Sequence, residues 1–453
     1  MCSDYSLPPH AKTPSCYFRQ LEPRLKLNRR RTRPRIFYGW VVVAVAFVTM
    51  AVAISARTSF SLLYPEMLDE FGWSRGLTAG AYSLGFIASV AMMPIVGFMM
   101  ERTGPRVVIP LGALMVAGGF VMLRLIQDPI ALYVAMGILI VNGSMAMSYI
   151  VHSMFLPNWF VKNRGFAVGL AFSGVGVGAL VLLPAFQQLI ASEGWRDACI
   201  YMAIAVAATI IPLNILFQRN APQDIGLLPD GAEHGRVAKN ASRGPRVLDR
   251  TWAARDWTIG SALSTVRFWA MFIAFFGGLF VWYGLQAHQT KYLIDNGFSA
   301  SFAATALGIT AFLGIFGTTA IGAFSDRFGR ELAWTLAMAG FGASSVFMVM
   351  IGRNPSIELV YLALAGQGLL GYGMSALFGA ITAELFAGPR IASILSIMGL
   401  GGNLGGGAGA WALGAIYDAT GSYEWGFWLC WAIAILSSIC VWIAAPGRVR
   451  AVA

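Results

Sequence analysis

The sequence predicts an all-α membrane protein, with twelve transmembrane helices in two pseudo-symmetric six-helix bundles. Three observations carry this. A composition of 57% hydrophobic and 12% charged residues, with a mean hydropathy of +0.66, leaves too little polar surface to solvate a soluble globule of 453 residues. Apolar runs of about 20 residues, the length that spans a bilayer as a helix, recur twelve times. A charged turn also occurs twice, 225 positions apart: Gly97-Phe-Met-Met-Glu101-Arg102-Thr-Gly104, then Gly322-Ala-Phe-Ser-Asp326-Arg327-Phe-Gly329.

In chain order the runs fall at 37–63, 77–100, 107–125, 130–151, 166–191 and 197–217, then at 268–292, 301–324, 332–351, 357–385, 391–416 and 425–445. Pro94, Pro110, Pro184 and Pro212 interrupt several of them. The runs are nevertheless too long and too evenly apolar for barrel strands, which alternate in segments of about 10 residues. Between the sixth and seventh spans the composition shifts to Asp224, Asp230, Glu233, Arg236, Lys239, Arg243 and Arg246 with Pro and Gly. The chain therefore divides into a basic tail (1–35), a first bundle (36–218), a linker (219–264), a second bundle (265–446) and a short tail (447–453). A duplicated membrane unit is the usual construction of a secondary transporter, whose path lies between two similar halves.

Orientation follows from the 32 Lys and Arg residues. They crowd the first tail (Arg29, Arg30, Arg31, Arg33, Arg35), the linker, the even-to-odd loops (Arg102, Arg106, Lys162, Arg164, Arg327, Arg330, Arg390) and the last tail (Arg448, Arg450). Arg75, Arg124, Arg196, Lys291 and Arg353 alone fall in the opposite loops, and Arg57 lies inside a span. The positive-inside rule then places both termini and the linker in the cytoplasm and the protein in the cell membrane. The net charge of +11 is that of a topogenic tail beside anionic lipid and requires no nucleic acid. The first 35 residues contain no apolar core of a signal peptide. Cys2, Cys16, Cys199, Cys430 and Cys440 have neither paired nor metal-ligand spacing, so no metal or cofactor is expected.

Spans 5 and 11 are dense in glycine: Gly174, Gly176 and Gly178 in the first, and Gly399, Gly401, Gly402, Gly405, Gly406, Gly407 and Gly409 in the second. Small residues four apart let helices approach closely in lipid. Gly174-x-Gly176-x-x-Ala179 formally matches a dinucleotide fingerprint, but no strand precedes it. With no Gly-x-Ser-x-Gly, His-Glu-x-x-His or phosphate-binding loop present, the chain does not read as an enzyme.

Ionisable groups inside a membrane are costly and so mark sites. Arg57 lies 20 residues after Phe37, about 30 Å along a helix, which places it in the outer part of span 1. Its planar donor fork suits a carboxylate; the alternative is an arginine snorkelling to the headgroups. Span 7 offers Tyr283, Gln286, His288, Gln289 and Lys291, of which His288 could exchange a proton near neutral pH. Asn142 and Tyr149 in span 4, Gln367 and Tyr372 in span 10, and Asn403 in span 11 are uncharged polar candidates for lining the path. His152 and Glu384 sit near helix ends, where solvent makes charge cheap. The acid–Arg pairs Glu101-Arg102 and Asp326-Arg327 can bond charges and helix termini across the two halves and so act as a gate.

The turn Gly-x-x-x-Asp/Glu-Arg-x-Gly, repeated between spans 2 and 3 and spans 8 and 9, resembles the signature loop of the major facilitator superfamily, and the layout does so over the whole chain. Phe37-Tyr38-Gly39-Trp40, Trp159-Phe160-x-x-Asn163-Arg164-Gly165-x-Ala167-x-Gly169, Gly194-Trp195-Arg196 and Gly226-Leu-Leu-Pro229-Asp-Gly231 resemble its monocarboxylate and oxalate:formate exchanger branch. The resemblance implies a cavity lined by spans 1, 4, 7 and 10, with a span 1 basic residue near the position of Arg57 binding the substrate's acid group. It also implies an arginine in span 8 where this chain has Thr318, so a two-point clamp on a dianion is not expected, and Arg57 with Thr318, His288 and Asn403 is the site expected for a monoanion of modest size. The function expected is secondary active transport of a small organic anion by alternating access, with protons as the candidate coupling ion and membrane lipid as the surroundings of a monomer. A drug-type exporter of the same fold is the alternative, followed by a non-transporting sensor.

Overall fold

A computed structural model describes residues 37–160, 163–229, 246–388 and 390–451. The basic tail over residues 1–35, Lys162 and the linker charges from Asp230 to Arg243 lie outside the described residues, as do Cys2 and Cys16. From Gly39 onward the chain forms one compact unit.

Its long helices are α1 (Gly39–Phe71), α2 (Arg75–Thr103), α3 (Pro105–Arg124), α4 (Pro129–Asn158), α5 (Arg164–Glu193), α6 (Trp195–Phe217), α7 (Val266–Asp295), α8 (Ala300–Phe328), α9 (Arg330–Arg353), α10 (Ile357–Leu385), α11 (Ile391–Thr420) and α12 (Glu424–Ala444). Among the described residues, 11 helices are long and apolar enough to cross a membrane; α11, the glycine-rich one, is a further helix of 30 residues. The one strand pairing among the described residues joins Arg246–Val247 of the linker to Arg450–Ala451, antiparallel.

Packing repeats when six is added to the helix number. Contacts of α1 with α5, α3 with α6 and α2 with α4 recur as α7 with α11, α9 with α12 and α8 with α10, and the crossing contact of α2 with α11 has its counterpart in α8 with α5. That is the internal symmetry the doubled turn implied. The turns themselves match, for Gly104 and Gly329 close them at φ of 71° and 100°, a region glycine enters without a Cβ clash.

The symmetry extends to irregularity. Tyr133–Val141 in α4 and Gly366–Leu370 in α10 are wide π-type turns, the second followed by a tight 3-10 segment over Gly371–Ala376. Such insertions in a helix are frequent at functional sites, and these two helices carry Asn142, Tyr149, Gln367 and Tyr372.

Glycine in α11 allows backbone contact with α7. A Cβ on Gly409 would stand 2.1 Å from the carbonyl oxygen of Phe280, and one on Gly405 would stand 2.0 Å from that of Phe276. Gly399 has nothing within 4 Å. Gly409→Ala is therefore expected to lower the thermal unfolding midpoint in detergent, with about 1–3 kcal/mol of overpacking, while Gly399→Ala leaves it unchanged or raises it slightly. Equal midpoints for the two variants would show that the α7–α11 contact is not the constraint.

Candidate functional site

Helix α1 runs on to Phe71 because Tyr64 and Pro65, where the apolar run weakens, are buried inside it. Arg57 therefore sits near the middle of a 33-residue helix and not in its outer part. It is 8% exposed, so it is no headgroup anchor. One terminal nitrogen, Nη2, donates to the Tyr283 hydroxyl at 3.2 Å, the other lies 3.8 Å from Met145 Sδ, and Nε–H has no partner. No carboxylate pairs with this guanidinium among the described residues.

Around it stand phenols from three helices, and a fourth, Tyr372, joins them through Trp282 and Gln286. Tyr283 lies under the guanidinium, 5.7 Å from ring centroid to Cζ, and Tyr82 and Tyr149 are its next electrostatic neighbours. Tyr82 packs edge-on to Tyr283, whose ring also meets Phe86. Tyr372 stacks on Trp282 at 4.0 Å and accepts a bond from Gln286 Nε2 at 3.4 Å. Gln286 Oε1 and Asn142 Oδ1 are buried without partners. The cluster thus gathers α1, α2, α4, α7 and α10 around one cation, with an open donor and two open acceptors.

The other residues singled out in the sequence divide. Tyr149 is 41% exposed and meets Phe172 edge-on. Asn142 donates to the Gly137 carbonyl across the π-type turn at 2.8 Å. Thr318 bonds to the Tyr372 carbonyl and to Ser375, joining α8 to α10. Gln367 donates to Ser344 on α9 at 2.9 Å and stands apart from the cluster. Asn403 is half-buried on α11. His288 is fully buried, with Nδ1 3.0 Å from the Tyr423 hydroxyl and Nε2 2.7 Å from the Ala410 carbonyl; it belongs to the layer beyond Arg57. His152 and Glu384 depart from the expectation of solvated helix ends, because both are buried. His152 is fully buried against the Ser148 carbonyl, and the buried Glu384 carboxylate accepts from Arg330 at 2.8 Å.

At the end of the bundle bearing the linker and the doubled turn, Asp326 pairs with Arg330 of the same half at 2.6 Å, while Arg102 lies over Phe98 and Arg327 over Phe328. Glu101 is exposed. No ion pair joins the halves there among the described residues.

The far end is different. Arg75 bonds Asp295 at 2.7 Å and the Tyr423 hydroxyl at 2.9 Å, and lies 3.5 Å over the Tyr417 ring. The Asp418 carboxylate accepts the backbone N–H groups of Arg75 and Gly76 at 2.8 and 2.7 Å, so a residue of α11 caps the start of α2. Lys291 reaches both Asp69 and Asp295. The Ser61 and Ser83 hydroxyls donate to the carbonyls of Gln286 and Gly407, each at 2.6 Å. The two halves are thus closed on each other at the far end. A signal for this was present in the sequence. All five basic residues that broke the loop-charge pattern are ion-paired: Arg75 and Lys291 reach across the halves, while Arg124 with Asp197, Arg196 with Glu70 and Arg353 with Glu424 pair within one half.

Repeated halves around a buried polar cluster, with one end closed, define a membrane transporter and not an enzyme. Residues 45–375, and in a second stretch 297–452, match the family model of the Major Facilitator Superfamily, and the chain belongs to that superfamily. It is 27% identical to human monocarboxylate transporter 11 over 423 residues, covering 90% of this chain and 83% of that one. It is 22% identical to the oxalate:formate antiporter of Oxalobacter formigenes over 349 residues, 77% of each. Among solved structures, a bacterial homologue of the human lysosomal transporter Spinster, described as inward-facing and occupied, superposes with a TM-score of 0.66 at 17% identity, covering 91% of this chain and 98% of that one. The nucleoside transporter NupG does so at 0.65 and 11%, covering 90% and 99%. This chain is a multi-pass membrane transporter with a small-molecule substrate, related to monocarboxylate transporters and to an oxalate:formate antiporter.

Proposed function

We propose that the protein carries a small organic monoanion across the cell membrane by alternating access, the bundles 36–218 and 265–446 rocking about Arg57, with both termini and the linker cytoplasmic. One observation carries the reading: a buried arginine at mid-span has no carboxylate partner among the described residues and an unused N–H. An uncompensated buried cation is strongly unfavourable, and an anion that brings its own carboxylate removes the penalty. The names of the relatives, monocarboxylate and oxalate:formate carriers, support a carboxylate cargo, and the choice of a monoanion rests on Thr318 in place of a second cation. An apolar or cationic cargo, as in a drug-type exporter, would meet the wrong charge. The doubled turns then serve the opposite conformation: with the linker end closed, Glu101-Arg102 and Asp326-Arg327 face each other across the halves.

A proton accompanies the anion in this reading, because the pair crosses without net charge. His288, its carrier, is enclosed by Tyr64, Tyr423 and Ala410 in the present conformation and gains access to the path when the far end opens. Counterflow of labelled carboxylates in proteoliposomes tests the proposal. Monocarboxylates are expected to exchange and to be driven by a proton gradient, and dicarboxylates are not. Uptake of an apolar cation with no carboxylate counterflow would overturn it.

A further inference from the structure

Helix α7 touches the first six helices at a series of rungs. Tyr283 accepts from Arg57, the Gln286 carbonyl from Ser61, and farther along Lys291 reaches Asp69 and Asp295 accepts from Arg75. The innermost rung differs in kind from the rest, for its donor is the cation of the binding site itself. The site is thus bridged between halves by the bond from Arg57 to the Tyr283 phenol oxygen.

For a carrier with a buried cation, the hard step is closing while empty, since the guanidinium must leave water with nothing to receive its donors. A carrier without an internal acceptor closes less readily empty than loaded, which favours exchange over net transport. Here the Tyr283 oxygen supplies one acceptor and the Met145 sulfur lies against the other terminal nitrogen, while Nε–H remains for cargo. A phenol is both donor and acceptor. When a carboxylate takes Nε–H and Nη2–H, the Tyr283 O–H turns to donate to it, and the bridge between halves is kept.

We propose that Tyr283 stands in for the anion in the empty protein, so that the empty carrier closes and returns without cargo and the protein performs net transport, not obligatory exchange. This rests on the reading of Arg57 as the carboxylate site. Tyr283 acts here as a positioning residue, and its role is visible in the difference between two transport modes.

The test uses the full-length protein in proteoliposomes loaded with labelled L-lactate, or with whichever labelled carboxylate gives the fastest wild-type counterflow. Efflux is compared between buffer free of anion and buffer with excess unlabelled anion. Wild type is expected to show both. Tyr283→Phe is expected to lower the ratio of net efflux to exchange by about tenfold, the scale of one hydrogen bond to a charged group, whichever way exchange itself moves. An unchanged ratio, or a wild type that only exchanges, overturns the proposal. Arg57→Gln with exchange intact overturns the site reading instead.

A second arm needs no ligand. Nitroxide labels on Gln127→Cys and Asn354→Cys, exposed at the far end on the α3–α4 and α9–α10 loops, report the separation of the halves. The empty wild type is expected to populate a short and a long distance, and Tyr283→Phe to deplete the short one about tenfold. Identical distributions in the two proteins also overturn the proposal.

Discussion

Replacing Arg57 by glutamine is expected to remove most anion binding while leaving the thermal unfolding midpoint of the empty protein unchanged or raised. The opposite signs follow from one fact. In this structure the guanidinium is buried with a phenol and a thioether for company, so without cargo desolvation works against it, and a neutral amide of shorter reach relieves that burden. With anion bound, the same group makes a charge-assisted, bidentate contact worth about 1.5–3 kcal/mol per bond to a charged partner, so losing even one of the two bonds in the glutamine variant is roughly a 10- to 150-fold loss of affinity. Arg57→Lys should keep part of the affinity, because the charge persists while the fork is lost. Calorimetric binding and thermal unfolding of the three proteins in detergent decide it. A lower midpoint with undiminished binding would make Arg57 a structural tie.

How much of this was legible in the sequence depends on what each feature rests on. The fold was legible because hydrophobic run length and the doubled turn are one-dimensional properties, and the repeat of contacts under addition of six helices follows from them. Helix ends were less so. Span 1 was closed near residue 63 where Tyr64, Pro65 and Glu66 break the apolar run, yet the helix continues, since a proline can be tolerated where surrounding helices satisfy the freed backbone groups. That continuation brings Asp69 and Glu70 to Lys291 and Arg196 and moves Arg57 to the centre. Arg57, Tyr149, Tyr283 and Tyr372 were visible as polar groups in apolar spans. Tyr82 was not, because in a span facing lipid on one side and protein on the other a tyrosine reads as an ordinary amphipathic residue. The distinction between Tyr372, near the cluster, and Gln367, turned to α9, depends on the π-type turn over Gly366–Leu370, which no regular periodicity encodes. The far-end ion pairs could have been suspected from the basic residues in the wrong loops, but their partners could not, since Arg75 and Asp295 are brought together only by the packing of the halves.

Those ion pairs carry the other large expected effect. Neutralising two of the acids that hold the far end, as Asp295→Asn with Asp418→Asn, should open it. Asp295 serves two cations, Arg75 at 2.7 Å and Lys291 at 3.3 Å; without it they are left as like charges near each other. Asp418 holds the first two N–H groups of α2 from a helix of the other half. Isolated exposed pairs contribute only about 0.2–1 kcal/mol each. A cluster in which Arg75 and Lys291 are 13% and 11% exposed is screened less, and a combined bias of about 1–3 kcal/mol would move the population of the two conformations by roughly 5- to 150-fold. Ser61→Cys is the reporter, since that side chain is buried between the halves against the Gln286 carbonyl. A membrane-impermeant thiol reagent added outside intact cells should label the reporter slowly in an otherwise wild-type chain and at least several times faster with both asparagines present. An equal labelling rate would show that helix packing, and not charge, closes the far end; labelling only from the cytoplasmic side would reverse the proposed orientation.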